Sequence, residues 1–122
     1  MSTVRKQINE VGWWSSKALT RDELPRTCFW DDDVAVNLSS VPLSEVLHVR
    51  AIHCVALTGD RGQPTVRVVL DCREGVYYRD SYDFVSQLQM MLDWDGPVEA
   101  WPPIKIGHPD RRYKRYRILP QG

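Results

Sequence analysis

A length of 122 residues, with 43% hydrophobic and 26% charged side chains, corresponds to one globular domain and excludes a wholly disordered chain. Sixteen basic and sixteen acidic residues give a formal net charge of zero, which argues against the strong cationic field of a protein that coats DNA. No apolar run reaches the roughly 18 residues needed to cross a bilayer, so no membrane partner is expected.

The cysteine content indicates an intracellular protein. Cys28, Cys54 and Cys72 are odd in number, widely spaced and free of any CxxC pair. A secreted disulfide scaffold usually has an even and denser set, so reduced thiols in the cytoplasm or nucleus are favoured. Residues 1–10 are polar and lack the apolar segment of a signal peptide. We expect them to form a flexible leader to a single domain that spans 1–122.

The first half of the chain is predicted to consist of short strands. Residues 27–30 form a compact apolar segment that runs into an acidic turn, and alternation over 34–38 predicts the next strand. Residues 41–58 fit both a two-residue and a helical period. Their later part is rich in β-branched side chains, which favours a strand there, whereas a helical start at 42 stays open.

Two turns predict a pair of β-hairpins in the middle of the chain. The polar, glycine-containing segment 59–64 precedes a run, 65–73, that predicts a half-buried strand. In it one face would carry Val66, Val68, Leu70 and Cys72, and the other Thr65, Arg67, Val69, Asp71 and Arg73. Glu74-Gly75 then marks a tight turn, after which 76–78 return as a short strand.

The hydrophobic period then changes to that of an amphipathic helix, predicted from about Tyr82 to Asp93. Asp80 or Ser81 can cap its N-terminus, and Gly96-Pro97 ends it. We expect Gln87 and Gln89 to point away from the sheet and Trp94 to pack back onto it. The apolar positions with helical spacing are Phe84, Val85, Leu88, Met91 and Leu92.

These elements predict an α+β fold: a mostly antiparallel, strongly bent sheet or partial barrel, one long helix near 82–93, and a Pro-rich, basic segment over 97–122. The strand entry Val-Pro-Leu-Ser-Glu-Val at 41–46, the strand pair 66–78 and the helix pattern at 83–88 resemble the pleckstrin-homology and phosphotyrosine-binding-like superfold. The first hairpin lacks the basic cluster of the lipid-binding members. The resemblance therefore implies a scaffold that binds proteins rather than lipid headgroups.

Residues suited to catalysis are scattered along the sequence. Three adjacent carboxylates on an extended chain cannot face one cation, so Asp31, Asp32 and Asp33 predict a solvated turn rather than a metal site. The candidates for a thiol–imidazole pair or a zinc site have no recognised spacing; they are His48, His53, Cys54 and His108. No pair is favoured among the acidic candidates Asp71, Glu74, Asp80, Asp83, Asp93 and Asp95. With no phosphate-binding glycine motif either, we expect no enzyme, no metal and no cofactor.

The C-terminal stretch is the main functional candidate, because five basic side chains alternate there with two tyrosines. On an extended strand these residues would face alternate sides, which suits phosphate contacts with base stacking and equally suits an acidic protein groove. A third interpretation is a solvated closing strand that ends in the core anchors Ile118 and Leu119. The candidate residues are Arg111, Arg112, Tyr113, Lys114, Arg115, Tyr116 and Arg117.

Trp13 and Trp14 are the second candidate site, since adjacent strand residues face opposite ways and one of the two is hard to bury. Trp101 is expected to close a loop over the core. Together these observations predict a non-catalytic recognition domain, an adaptor or inhibitor that binds a protein. The alternative is DNA or RNA binding through 111–117, and the oligomeric state stays open.

Overall fold

The computed structural model describes residues 13–16, 35–58, 61–62 and 64–121. The predicted leader at 1–10, the strand at 27–30 and the acidic turn at 31–33 lie outside this range. Of Trp13 and Trp14, only the backbone is described.

The described elements form two sheets and one long helix, which confirms the α+β class. A five-stranded sheet has the order β1-β3-β4-β5-β2, and β6 and β7 form a separate antiparallel pair. Across the described part of the chain the sheets do not close into a barrel. The elements are β1 (Trp13–Ser15), β2 (Val36–Asn37), β3 (Val49–Thr58), β4 (Pro64–Cys72), β5 (Gly75–Asp80), α1 (Tyr82–Asp95), β6 (Ile104–Gly107) and β7 (Arg117–Pro120).

The predicted hairpins are confirmed as the centre of the large sheet. β3 and β4 pair antiparallel from Thr58 opposite Pro64 to Val49 opposite Cys72, with an irregularity between Val49 and Ala51. β4 and β5 pair antiparallel across the turn that ends at Gly75. β2 lies parallel to β5, so the sheet is mixed rather than wholly antiparallel.

Two predicted strand segments are shorter than the alternation pattern suggested. The strand predicted over 34–38 stops at Asn37, whose side chain accepts a hydrogen bond from the Ser39 N–H and starts the 3-10 turn Leu38–Ser40. The segment from 42 begins neither as a helix nor as a strand. Instead Leu47 exchanges two backbone hydrogen bonds with Ile104 and so connects the two sheets before β3 starts.

α1 is confirmed and extends two residues beyond the predicted end. The Ser81 hydroxyl caps it by accepting a hydrogen bond from the Asp83 N–H at 3.2 Å. Its buried stripe is Phe84, Leu88 and Met91, which packs against both sheets. The largest fully buried side chains elsewhere in this core are Leu38, Leu47, Ile52, Leu70, Ile104 and Ile106. Among the described helices, none is sufficiently long and apolar to traverse a bilayer.

Gly96 ends α1 in a conformation that only glycine adopts readily, with φ 83° and ψ −154°. We expect Gly96→Ala to lower the free energy of unfolding by about 1–3 kcal/mol, because the added Cβ strains this backbone. The space around the position is open, so no steric clash contributes. Urea denaturation would measure the change, and an unchanged midpoint would contradict the assignment of strain.

Candidate functional site

The basic residues after β6 form a folded loop, not the predicted strand. We call residues 108–116 the basic loop. The Asp110 carboxylate accepts hydrogen bonds from the backbone N–H groups of Arg112 and Tyr113, both at 2.8 Å, and the Asp110 N–H donates to the Tyr113 carbonyl at 2.7 Å. These bonds close a tight turn, so the alternating arrangement predicted for an extended strand was wrong. Strand structure begins only at Arg117.

Both tyrosines of the stretch carry guanidinium groups over their rings. The Arg117 guanidinium carbon lies 3.6 Å from the centroid of the Tyr113 ring, and that of Arg112 lies at 5.6 Å. Arg79 on β5 lies 4.1 Å from the centroid of Tyr116, whose ring also contacts His108 with centroids 5.0 Å apart. Cation–π contacts of this kind occupy ring surface that a base would otherwise use for stacking.

The remaining cations of the basic loop lie at its surface. Arg115 forms an ion pair with Asp83 at 3.3 Å, and both side chains are largely exposed. We call the adjoining cavity of about 400 Å³ the basic cleft. It is lined by Gln87, Arg112, Tyr113, Lys114, Arg115 and Arg117.

Gln87 lies against β7, and its predicted outward orientation was wrong. Its amide nitrogen donates to the Tyr116 carbonyl at 2.6 Å, and its amide oxygen accepts from the Ile118 N–H at 2.7 Å. Within the described part of the chain β7 pairs with β6 along one edge, so backbone groups on its other edge need partners. Gln87 bonds to the Ile118 N–H of β7 and to the Tyr116 carbonyl just before it. Gln89 is exposed, as predicted, and donates to Asp93 one turn along the same helix.

Trp94 does not pack back onto the sheet, contrary to prediction, because 84% of its surface is exposed. The next position with the spacing of the buried stripe after Met91 is Asp95, which is itself exposed at the end of the helix, and Trp94 falls to one side of the stripe. Met90, which is 60% exposed, flanks Trp94 on the same side. The prediction for Trp101 is confirmed: its indole N–H donates to the Gly96 carbonyl at 2.9 Å, and its ring packs partly buried on the core.

Met90 and Trp94 border a second cavity, of about 300 Å³, between α1 and β7. We call it the apolar groove. Gln87 lines both the apolar groove and the basic cleft, so the two cavities are neighbours on one surface. The groove is lined by Gln87, Met90, Met91, Trp94, Asp95, Ile118 and Pro120.

Met90 and Trp94 were not predicted as site residues from the sequence. The signal that marks them is a second helical stripe with the spacing i, i+4, i+7, i+11, formed by Asp83, Gln87, Met90 and Trp94. Such a stripe covers one flank of a helix. The basic loop and β7 follow the same flank.

The candidate residues for metal binding and thiol chemistry have separate partners. His48 bonds to Glu74, His53 is fully buried and bonds to Ser15, and His108 bonds to the Val41 carbonyl. Among the residues that the structure describes, no three His, Cys, Asp or Glu side chains are grouped to hold a metal.

The described thiols are protonated at neutral pH. Burial raises the pKa of Cys54 to about 11 and also raises the pKa of Cys72. Neither is therefore poised as a thiolate nucleophile. Several of the candidate carboxylates are in ion pairs: Asp80 with Arg67 at 2.7 Å, Asp71 with Arg50 at 3.2 Å, Glu74 with Arg73 at 3.7 Å, and Asp83 with Arg115 at 3.3 Å.

The second predicted site lies away from the basic loop. The backbone of Trp13 and Trp14 pairs with Val55 and Cys54 at the edge of the large sheet. β3 and β4 separate that edge from β5, which carries Arg79 beneath the loop. β1 and β5 are three strand spacings apart in this sheet, which corresponds to about 14 Å.

The pH dependence of the basic loop follows from Asp110. The N–H groups of Tyr113 and Arg112 hold the pKa of its carboxyl below the ordinary value. The stabilisation of the turn is therefore present above the ordinary pKa of about 3.9 and is lost as the pH falls through the lowered value. We expect NMR titration to show the Arg112 and Tyr113 amide signals moving in that acidic step. Asp110→Asn, which keeps an acceptor, should retain the turn at neutral pH, whereas Asp110→Ala should lose it.

Comparison of the chain with family models, with curated protein sequences and with solved structures gives no match.

Proposed function

We propose that the chain is a non-catalytic recognition domain that binds a protein partner, in the role of an adaptor or inhibitor. The observation that supports this most directly is the contact between the basic cleft and the apolar groove through Gln87. Protein interfaces typically place Trp, Met and Arg at their centre. This surface offers all three within one helix flank and the loop beside it.

Nucleic-acid binding through 111–117 is the rival proposal, and the geometry of the tyrosines favours it less. Single-strand binders stack bases on open aromatic faces. Here Arg117 and Arg79 lie over Tyr113 and Tyr116, so one face of each ring already has a partner. The exposed cations beside them would give sequence-independent phosphate contacts, with less ring surface for stacking than an open platform offers.

The likeness to the pleckstrin-homology and phosphotyrosine-binding-like superfold stays a prediction. The order of strands, hairpins and a following helix supports it. The separate pair β6–β7 and the open sheets weigh against a closed barrel of that type. The proposed protein-binding role does not depend on this likeness, because the residues of the surface support it independently.

A pull-down from the lysate of the source organism tests the proposal, with wild type compared with the charge reversal Arg111→Glu/Arg112→Glu/Lys114→Glu/Arg115→Glu. We expect the reversal to lose the captured protein, because the cleft would repel an acidic surface. A circular dichroism melt confirms that the variant folds. Equal recovery of every protein by both baits would remove the basic loop from the binding surface.

Binding of a labelled single-stranded oligonucleotide, measured at increasing salt, distinguishes nucleic-acid binding from protein binding. Binding through several phosphate contacts would weaken steeply as salt is raised, whereas a complex with an aromatic centre is much less sensitive. Tight, salt-dependent binding of the oligonucleotide that the charge reversal abolishes would favour nucleic acid as the partner.

A further inference from the structure

We infer that the partner binds along α1 as an extended segment in which a cluster of acidic side chains and one large apolar side chain lie roughly three to five residues apart. This inference rests on the proposed function and adds the chemistry and spacing of the segment that fits the surface.

The contacts along α1 set the order of the two cavities. Near the start of the helix, Asp83 pairs with Arg115 of the basic loop. One turn later Gln87 bonds to Ile118 on β7. At the end of the helix Trp94 lines the apolar groove with Pro120. The basic cleft therefore lies beside the first half of α1 and the apolar groove beside the second half.

The helix rise gives the distance between the two halves. Gln87 and Trp94 are seven positions apart, which corresponds to about 10 Å at 1.5 Å per residue, and Asp83 to Trp94 corresponds to about 16 Å. An extended partner chain advances about 3.3 Å per residue, so these distances equal three to five of its residues.

The charges select an acidic segment for the cleft. Arg112 and Lys114 are exposed at its lining, and Arg111 is exposed beside them. Of the acids beside the cleft, Asp83 pairs with Arg115 and Asp110 accepts two backbone N–H groups, while Asp95 lies at the far end of α1 beside the apolar groove. The remaining positive charge is complementary to a partner that carries several carboxylates.

The apolar groove favours a large apolar side chain in the partner segment. Trp94 and Met90 expose 84% and 60% of their surface beside buried Met91 and Ile118. A large aliphatic or aromatic side chain placed there would remove apolar area from water on both partners, which is the main source of affinity at interface centres.

A synthetic peptide tests the inference directly. The probe is a fluorescein-labelled peptide with four acidic residues, a four-residue Gly-Ser spacer and a phenylalanine, and binding is followed by fluorescence anisotropy. We expect replacement of its phenylalanine by alanine, or of its acidic residues by glutamine, to weaken binding about tenfold in each case. Peptides with no spacer or with a twelve-residue spacer should bind more weakly than the probe.

Variants of the protein assign each half of the peptide to its cavity. Trp94→Ala should remove the preference for phenylalanine over alanine while retaining the preference for acidic residues, and Arg112→Glu/Lys114→Glu should do the reverse. Leu43→Ala is the matched control for an exposed apolar side chain elsewhere, and Arg61→Glu is the control for a basic one. Neither control should alter binding.

Three outcomes would overturn the inference. One is equal binding of the phenylalanine and alanine peptides by wild type, and another is no binding of the probe at any soluble concentration. The third is a concentration-dependent dimer in sedimentation that Trp94→Ala abolishes, which would assign the groove to a second copy of this chain. The first two leave the pull-down result unaffected, so failure of the segment chemistry is distinguishable from failure of protein recognition.

Discussion

Phe84→Ala is expected to lower the free energy of unfolding by about 3–5 kcal/mol, the largest effect of any substitution considered. Phe84 is 1% exposed and belongs to the core that α1 shares with both sheets. Its truncation removes the transfer energy of the ring and leaves a cavity that close-packed neighbours fill only in part. For a small domain with a total stability of about 5–15 kcal/mol, this is a large fraction of the whole.

Trp94→Ala is the matched comparison on the same helix. Because the Trp94 ring is already in water, its removal should change the free energy of unfolding by less than about 0.5 kcal/mol. Urea denaturation followed by circular dichroism measures both variants. If Trp94→Ala proved as destabilising as Phe84→Ala, Trp94 would belong to the core and the apolar groove would not be a binding surface.

Gln87→Leu is expected to lower the free energy of unfolding by about 1–3 kcal/mol. Leucine keeps the size of the side chain but leaves the Tyr116 carbonyl and the Ile118 N–H without their present partner. A half-buried backbone group that has lost its contact with water and has no hydrogen-bond partner destabilises the folded state.

Gln89→Leu provides the control, since Gln89 is exposed and donates to Asp93 on its own helix. We expect a change within about 0.5 kcal/mol for this variant. Hydrogen exchange adds a local measurement: the Ile118 amide should exchange faster in Gln87→Leu and at the wild-type rate in Gln89→Leu. Equal exchange in both variants would show that Gln87 does not hold β7.

The elements that were predicted correctly are those with a local sequence signal. The strand over 65–73, the turn at Glu74-Gly75 and the helix from Tyr82 each depend on neighbouring residues, and each is present. The strand is buried on both faces from Arg67 to Cys72, however, rather than half-buried as its alternation indicates. The position of Gln87 could not be predicted in this way, because its partner Ile118 lies 31 residues along the chain. Likewise, the connection of Leu47 to Ile104 has no local signature.

The composition of the basic stretch predicted a charged surface, but its conformation depended on one further residue. Asp110, which precedes the basic stretch, closes the turn that prevents an extended strand. Whether Trp94 is exposed depends on which face of the helix lies on the sheet. Phe84, Leu88 and Met91 define that face, and the next position with their spacing is Asp95, so Trp94 lies beside the face rather than on it.

The amide of Gln87 also bears on how the chain behaves at high concentration. An uncovered strand edge offers its backbone groups to any other strand and is a common start of intermolecular sheet growth. On β7 the Ile118 N–H already donates to the side chain of Gln87. The strand ends at Pro120, which has no N–H to donate. The same side chain that joins the two cavities therefore protects this edge against aggregation.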